Sequence, residues 1–148
     1  MPTLAENRRA RHDYEILEKF EAGLVLSGAE VKSVKLGRLN LQGSYVLARG
    51  LELWLVGAQI APYGPAGPQQ SGYDPKSDRK LLLKRQQLGY LVGRLTQDRL
   101  TLVPLSAYTA HRFVKLEIGL ARGRTRYDKR AAMRKREIDR SIRRTLHR

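Results

Sequence analysis

Apolar and polar positions alternate most regularly late in the chain, where Val114, Leu116, Ile118 and Leu120 are separated by Lys115, Glu117 and Gly119. A period of two sends successive side chains to opposite faces, so residues 112–122 are predicted as a strand with one buried face. Residues 100–105 form a shorter run that also predicts a strand. Pro104 within it requires an edge position or a bulge, because proline donates nothing to a ladder. Residues 14–26 alternate in part, with Tyr14, Ile16, Phe20 and Ala22 on one parity, and predict a strand bent near Gly23. Residues 39–49 and 52–60 predict an antiparallel pair. Arg49-Gly50-Leu51 turns between them, and Gly50 is free to take positive φ. Leu53 and Leu55 share one face of that pair, and Trp54 and Val56 the other.

Two stretches change the period. Ser27-Gly28-Ala29-Glu30 has the spacing of a capping box, in which the Ser27 hydroxyl accepts from the Glu30 amide and the Glu30 carboxylate accepts from the Ser27 amide. A short helix is predicted from there through Leu36, stopped by Gly37, with Val31 and Val34 inward and Lys32 and Lys35 outward. A second helix is predicted over Arg79–Thr96, capped by Asp78, with Leu81, Leu88, Leu91 and Leu95 on one stripe. Gly89 and Gly93 weaken its middle, and their spacing would permit close packing on a sheet. Between these helices residues 61–77 hold four Pro and three Gly and are read as a long loop, either functional or a plain connector. No β-α-β pattern and no internal repeat is present. Five to seven short strands with two or three helices predict a mainly β fold: a small closed antiparallel barrel of the oligonucleotide-binding type with helices packed on it.

Charge narrows the class of partner. The chain has 148 residues and a formal net charge of +15, which favours a polyanion. Residues 1–121 carry a net +6 and residues 122–148 a net +9. The organisation expected is therefore a folded unit over 1–122 and a basic tail over 123–148. The tail lacks the apolar content for its own core. It is either a solvated end or, as its unbalanced arginine favours, a segment disordered when free that folds as a helix on a phosphate surface. Arg130–Leu146 contains no Gly or Pro, and Ile138, Ile142 and Leu146 recur every fourth residue, the spacing of one helical face. A membrane is the weakest partner, since no apolar run approaches the roughly 18 residues a spanning helix needs. A cytoplasmic location is expected.

Candidate chemistry is sparse. The chain has no cysteine, which excludes disulfides and thiolate ligands. His12, His111 and His147 match no metal-ligand spacing, and no cofactor is expected. Gly64-x-x-Gly67 and Gly119-x-x-x-Gly123 lack the ending and the strand-to-helix setting of a phosphate loop. The acidic residues do not cluster as a two-metal centre requires. These readings point to a binding protein and against an enzyme. They leave open a general single-strand RNA-binding or ribosome-associated factor, although the 7% aromatic share is low for one.

Several segments fall together in one order and spacing: Asn7-Arg8-Arg9-Ala10-Arg11-His12-Asp13-Tyr14, Glu21-Ala22-Gly23, Gly28-Ala29-Glu30-Val31-Lys32-Ser33, Tyr45, Ile60-Ala61-Pro62-Tyr63, Arg79-Lys80-Leu81-Leu82-Leu83, Val103-Pro104-Leu105 and Asp128-Lys129-Arg130. In this the chain resembles the SsrA-binding proteins over about residues 6–147. The resemblance implies a non-enzymatic monomer that binds the tRNA-like part of transfer-messenger RNA. It also implies delivery of that RNA to the vacant A site of stalled ribosomes, where the nascent chain is tagged. It implies RNA contacts at Asn7, Arg9, Arg11, Glu21, Lys32 and Leu82, with the cations on phosphates and Asn7 and Glu21 on base or sugar edges. On sequence alone Leu82 reads as core; only the resemblance turns it outward. The ribosomal set implied is His12 in the decoding centre, and Gly123, Arg124, Asp128, Lys129, Arg130, Arg134 and Arg136 along the message channel. Two departures stand out. Gly123-Arg124-Thr125 replaces a usual Gly-Lys-Lys, and Ala110-His111-Arg112 lacks the glycine usual in that turn.

Overall fold

The computed structural model describes residues 3–64, 72–97 and 99–123. Within them the elements run β1 (Thr3–Glu6), α1 (Arg8–Asp13), β2 (Tyr14–Leu24), α2 (Gly28–Lys35), β3 (Leu39–Asn40), β4 (Tyr45–Arg49), β5 (Glu52–Val56), β6 (Gln59–Ile60), β7 (Arg79–Leu82), α3 (Arg85–Gln97), β8 (Thr101–Ala110) and β9 (Phe113–Gly123). Seven strands make one antiparallel sheet in the order β1-β8-β4-β5-β7-β2-β9, and β9 pairs again with β8. β3 and β6 form a separate two-stranded ladder. The architecture is thus a predominantly β sheet carrying three short helices.

The alternating positions of β9 do as their pattern predicts. Val114, Leu116, Ile118 and Leu120 are buried with Leu53, Leu55, Leu81, Leu102 and Leu91 in the main core. α2 carries the full capping box at Ser27 and Glu30, and Gly37 follows it at φ +79. Val34 is buried and Val31 packs partly against the core. The pair read over 39–60 is interrupted. β4 and β5 form the hairpin, turning at Gly50 with φ +62, while Gly43 and Gly57, both at positive φ, split off β3 and β6.

Three expectations are corrected. Arg79–Leu82 is a strand, not the start of a helix: Leu81 pairs with Leu53 and Arg79 with Leu55, and α3 begins only at Arg85. Asp78 pairs with Arg49 at 2.5 Å instead of capping. Local propensity favoured a helix there, but burial of Leu81 and Arg79 between two neighbouring strands outweighs it. Gly89 and Gly93 have nothing within 4 Å of where a Cβ would stand, so neither serves a close approach. At the N-terminus β1 and α1 carry too few residues to show a period. Of the 61–77 loop, residues 65–71 lie outside the described residues.

Two irregularities determine what the outer face of the sheet carries. The β2–β9 register shifts between Ile16 and Glu18, and the β8–β9 register shifts between Pro104 and Ser106. A bulge adds one residue and flips the parity beyond it. Phe20 and Ala22 therefore join the main core, whereas Tyr14 and Ile16, on the same nominal parity, pack outside it. Outside they meet Val103, Leu105, Ala121 and Ala10 of α1 in a small second core. Gly119 lies beneath it. A Cβ there would stand 3.0 Å from Ile16 Cγ2 and 3.1 Å from Leu105 Cδ1. Gly119→Val should overpack this seat and cost roughly 1–3 kcal/mol, read as a lower urea midpoint with α1 amides exchanging faster than those of β5.

Candidate nucleic-acid interface

α1 presents the first group of expected contacts. Asn7 is its N-cap, and the Asn7 carboxamide accepts from the Ala10 amide at 3.3 Å. Its Nδ2 donates to the Pro104 carbonyl at 3.0 Å, and its backbone N–H donates to the Leu105 carbonyl at 2.8 Å. Asn7 is buried. It therefore fastens the start of α1 to the bulge of β8, with a bond inside the protein from each end of its amide. The following residues face outward. Arg9 lies 3.6 Å from Asp13 one turn on, His12 Nδ1 lies 3.3 Å from Asp13, and Arg11 reaches Glu117 on β9 at 3.4 Å.

From Glu117 the face continues by register. Glu117 stands opposite Glu21 on β2, and the next outward pair is Gly23 with Lys115. Two carboxylates side by side repel, and cations and a phenol offset them. Arg11 takes Glu117, Lys115 Nζ lies 4.0 Å from Glu21, and the Tyr108 hydroxyl donates to Glu21. Burial raises the Tyr108 pKa well above the ordinary phenol value, and the Glu21 hydrogen bond and the charges of Glu21 and Glu117 raise it further. Tyr108 therefore stays a neutral donor. Gly23 pairs with Leu82, whose Cβ is 3.5 Å from where a Gly23 Cβ would stand, with Lys115 Nζ at 4.0 Å. Leu82 is 56% exposed, which removes it from the core and places an apolar side chain on the surface beside a floor of bare backbone. Arg11, Glu21 and Leu82 thus lie along one line.

Lys32 belongs to another element. It is exposed on α2 with its ammonium 5.7 Å from the Tyr63 ring centroid, and among the described residues it joins the line through no hydrogen bond or ion pair. α2 is itself fixed by a buried charge. Arg79, 2% exposed, donates to Glu30 from Nη2 at 2.8 Å and from Nε at 3.1 Å, and to the Ala58 carbonyl at 2.7 Å. The Tyr73 hydroxyl lies 3.1 Å from the Glu30 carboxylate and 3.0 Å from the Ile60 carbonyl, so it ties the far end of the long loop to the same group. Gly123 closes β9 opposite Tyr14, beside the end of α1. Arg124, Asp128, Lys129, Arg130, Arg134 and Arg136, with the expected stripe of Ile138, Ile142 and Leu146, lie outside the described residues. Among the described residues no group of three or more His, Asp or Glu side chains is arranged to hold a metal ion.

Sequence reasoning missed Tyr108, Lys115 and Glu117 as members of this face. The alternation of β9 marked Lys115 and Glu117 as outward, but only the pairing of β9 with β2 brings them to Glu21. It also missed the Arg79 cluster, because nothing in a run of basic and leucine residues distinguishes the one arginine that is buried.

The model of the SmpB protein family matches residues 4–148. The chain belongs to the SmpB family. The SsrA-binding protein of Trichormus variabilis is 46% identical over 143 residues, covering 97% of this chain and 92% of that protein. The SsrA-binding protein of Coprothermobacter proteolyticus is 48% identical over 145 residues, covering 97% and 96%. A chain from the solved structure described as "tmRNA-SmpB: a journey to the center of the bacterial ribosome" is 47% identical with a TM-score of 0.66, covering 84% of this chain and 87% of that one. Membership in the SmpB family sets aside the reading as a general single-strand-binding factor.

Two outcomes follow from this geometry. Asn7→Ala should cost about 1 kcal/mol through the lost cap and speed amide exchange across Arg8–Asp13; unchanged exchange there would remove the capping role. Burial works to raise the Glu30 pKa, but the Ser27 amide and the Arg79 guanidinium together outweigh it and leave the carboxyl below its ordinary value. A folded pKa below the unfolded one adds stability above the ordinary glutamate range and loses it as pH falls through the lowered value. The denaturant midpoint should therefore drop on acidification more steeply in the native chain than in Glu30→Gln.

Proposed function

We propose that the chain binds the tRNA-like part of transfer-messenger RNA and delivers it to the vacant A site of stalled ribosomes, where translation resumes on that RNA and the nascent chain is tagged. The observation that carries this reading is the continuous outer face from α1 through Glu117, Glu21 and Lys115 to Leu82, in a chain matched by the SmpB family from residue 4 to 148. The protein does no bond chemistry. It shapes a surface for a structured RNA, with cations for phosphates, a carboxylate for base amino groups, and an apolar floor for an unstacked base. Arg9, Arg11, Glu21, Lys32 and Leu82 make these contacts. Asn7 serves by holding α1 in place.

The sheet is read as a small barrel of the oligonucleotide-binding type. This is supported by a circuit of pairings that runs β8, β4, β5, β7, β2, β9 and returns to β8. A closed sheet has no edge on that circuit to yield when RNA binds, so the face keeps its spacing. The unit over 1–122 holds RNA, and the basic tail from Gly123 engages the ribosome. His12 meets a base in the decoding centre, and Arg124, Asp128, Lys129, Arg130, Arg134 and Arg136 lie along the message channel. A channel empty of message offers phosphates to that tail, which makes it a sensor of vacancy. The chain acts as a cytoplasmic monomer in this reading. No described helix is long and apolar enough to cross a membrane.

The test compares the whole chain with one ending at Gly123. Both should bind the tRNA-like RNA with similar affinity and prefer it to arbitrary RNA of equal size, while only the whole chain supports tagging. Loss of RNA binding on truncation, or no preference in the whole chain, would overturn the assignment.

A further inference from the structure

The tip of the β8–β9 hairpin lies outside every contact assigned so far. Ala110 pairs with Phe113, leaving His111 and Arg112 as a two-residue turn. Such turns require positive φ, which glycine and asparagine take most easily. Here His111 takes it, at φ +56. Both turn residues are exposed, and Phe113 is 68% exposed, as much as any large apolar side chain among the described residues.

Register decides which way Phe113 faces. It shares the outward parity of Lys115 and Glu117, while Val114 and Leu116 are buried on the other. The last pair between β2 and β9 is Gly23 with Lys115, so Phe113 stands just past the end of β2. It lies four residues from the partner of Arg11, about 13 Å along the strand. The line therefore runs from Arg11 and Glu117 through Glu21, Tyr108 and Lys115, beside the Gly23 floor with Leu82, and ends on an exposed ring flanked by Arg112. Phe113 contributes little to folding here, since it is mostly exposed and lies in neither core. A ring beside cations at the end of an RNA-binding face has the composition of a stacking platform.

We infer that Phe113 stacks on an unpaired base of the same RNA that lies along the Glu21–Lys115 face, with Arg112 taking a neighbouring phosphate. This rests on the RNA-binding reading above and extends that site by one base beyond Leu82. The occupant is the bound tRNA-like RNA rather than ribosomal RNA, because the ring is continuous with that face through Lys115.

The test measures equilibrium affinity of the full chain for the tRNA-like domain of transfer-messenger RNA, with arbitrary RNA of equal size as reference. Phe113→Ala should weaken binding about tenfold, a loss within the range for one base–aromatic stack, with thermal stability unchanged. Phe113→Trp should restore affinity and Phe113→Leu should not, because leucine supplies apolar area without a π face. Arg112→Gln should flatten the salt dependence by about one phosphate, whereas Phe113→Ala should leave its slope intact. Native affinity in the alanine variant overturns the inference, as does full rescue by leucine. Loss of tagging with RNA affinity unchanged also overturns it, by placing the ring on the ribosome. If the native chain itself shows no preference for the tRNA-like RNA, the underlying reading has failed instead, so the two failures are distinguishable.

Discussion

Two breaks in register, one in β2 opposite Ala121 and Leu120 and one in β8 opposite Ile118 and Glu117, govern the molecule. Between Ile16 and Glu18 on one strand, and between Pro104 and Ser106 on the other, one extra residue turns the outer face from apolar to polar. On one side of the breaks Ile16, Val103, Leu105 and Ala121 face outward and seat α1 through Ala10. On the other side Glu21, Tyr108, Lys115 and Glu117 face outward and are available to a ligand. Without the breaks, β2 would turn Glu18, Phe20 and Ala22 outward after Ile16 in place of Glu21, and β8 would turn Ala107 outward after Leu105 in place of Tyr108. Asn7 joins the two halves, since it caps α1 while donating to the carbonyl of Pro104 at the bulge.

This arrangement suits recognition of a shaped RNA better than capture of loose strands. The face is narrow, carries two carboxylates among its cations, and holds them by specific partners: Arg11 on Glu117, and Tyr108 and Lys115 on Glu21. A purely basic surface would hold any phosphate backbone. In the proposed RNA complex, carboxylates fixed in place exclude phosphate at some positions and accept base amino groups there, which would convert charge attraction into discrimination. The buried Arg79 works at a distance from this face. By joining Glu30, Tyr73 and Ala58 it fixes where α2 stands, and with α2 the direction of Lys32.

Much of this was legible in the residues. The strand over 112–122, the capped helix at Ser27 and the hairpin at Gly50 all follow from period, caps and turn chemistry, and Pro104 left an edge or a bulge, of which the structure has the bulge. The candidate contacts came from the order of the family motifs, and Leu82 shows why that was needed. Composition placed it in a core, and only pairing against the bare backbone of Gly23 leaves it 56% exposed. Asn7 shows the reverse. The motif marked it for RNA, and the structure adds a role the motif did not show, since its amide seats α1. The stretch from Arg79 to Leu82 misled propensity, since alternation over four residues is too short to compete with a leucine stripe until neighbouring strands bury one parity.

By itself the sequence determined the predominance of strands, the main core parity, the absence of thiol chemistry, the polyanionic class of partner and, through its motifs, the family. These depend on residue type and on spacing within one element. Tertiary structure decided which outward residues become neighbours: that Arg11 meets Glu117, that Lys115 and Tyr108 attend Glu21, that Arg79 is buried, and that Phe113 ends the line. Those outcomes depend on register between strands far apart in the chain. A shift of one residue there, whether by pairing or by bulge, exchanges every inward side chain for an outward one without altering the local pattern.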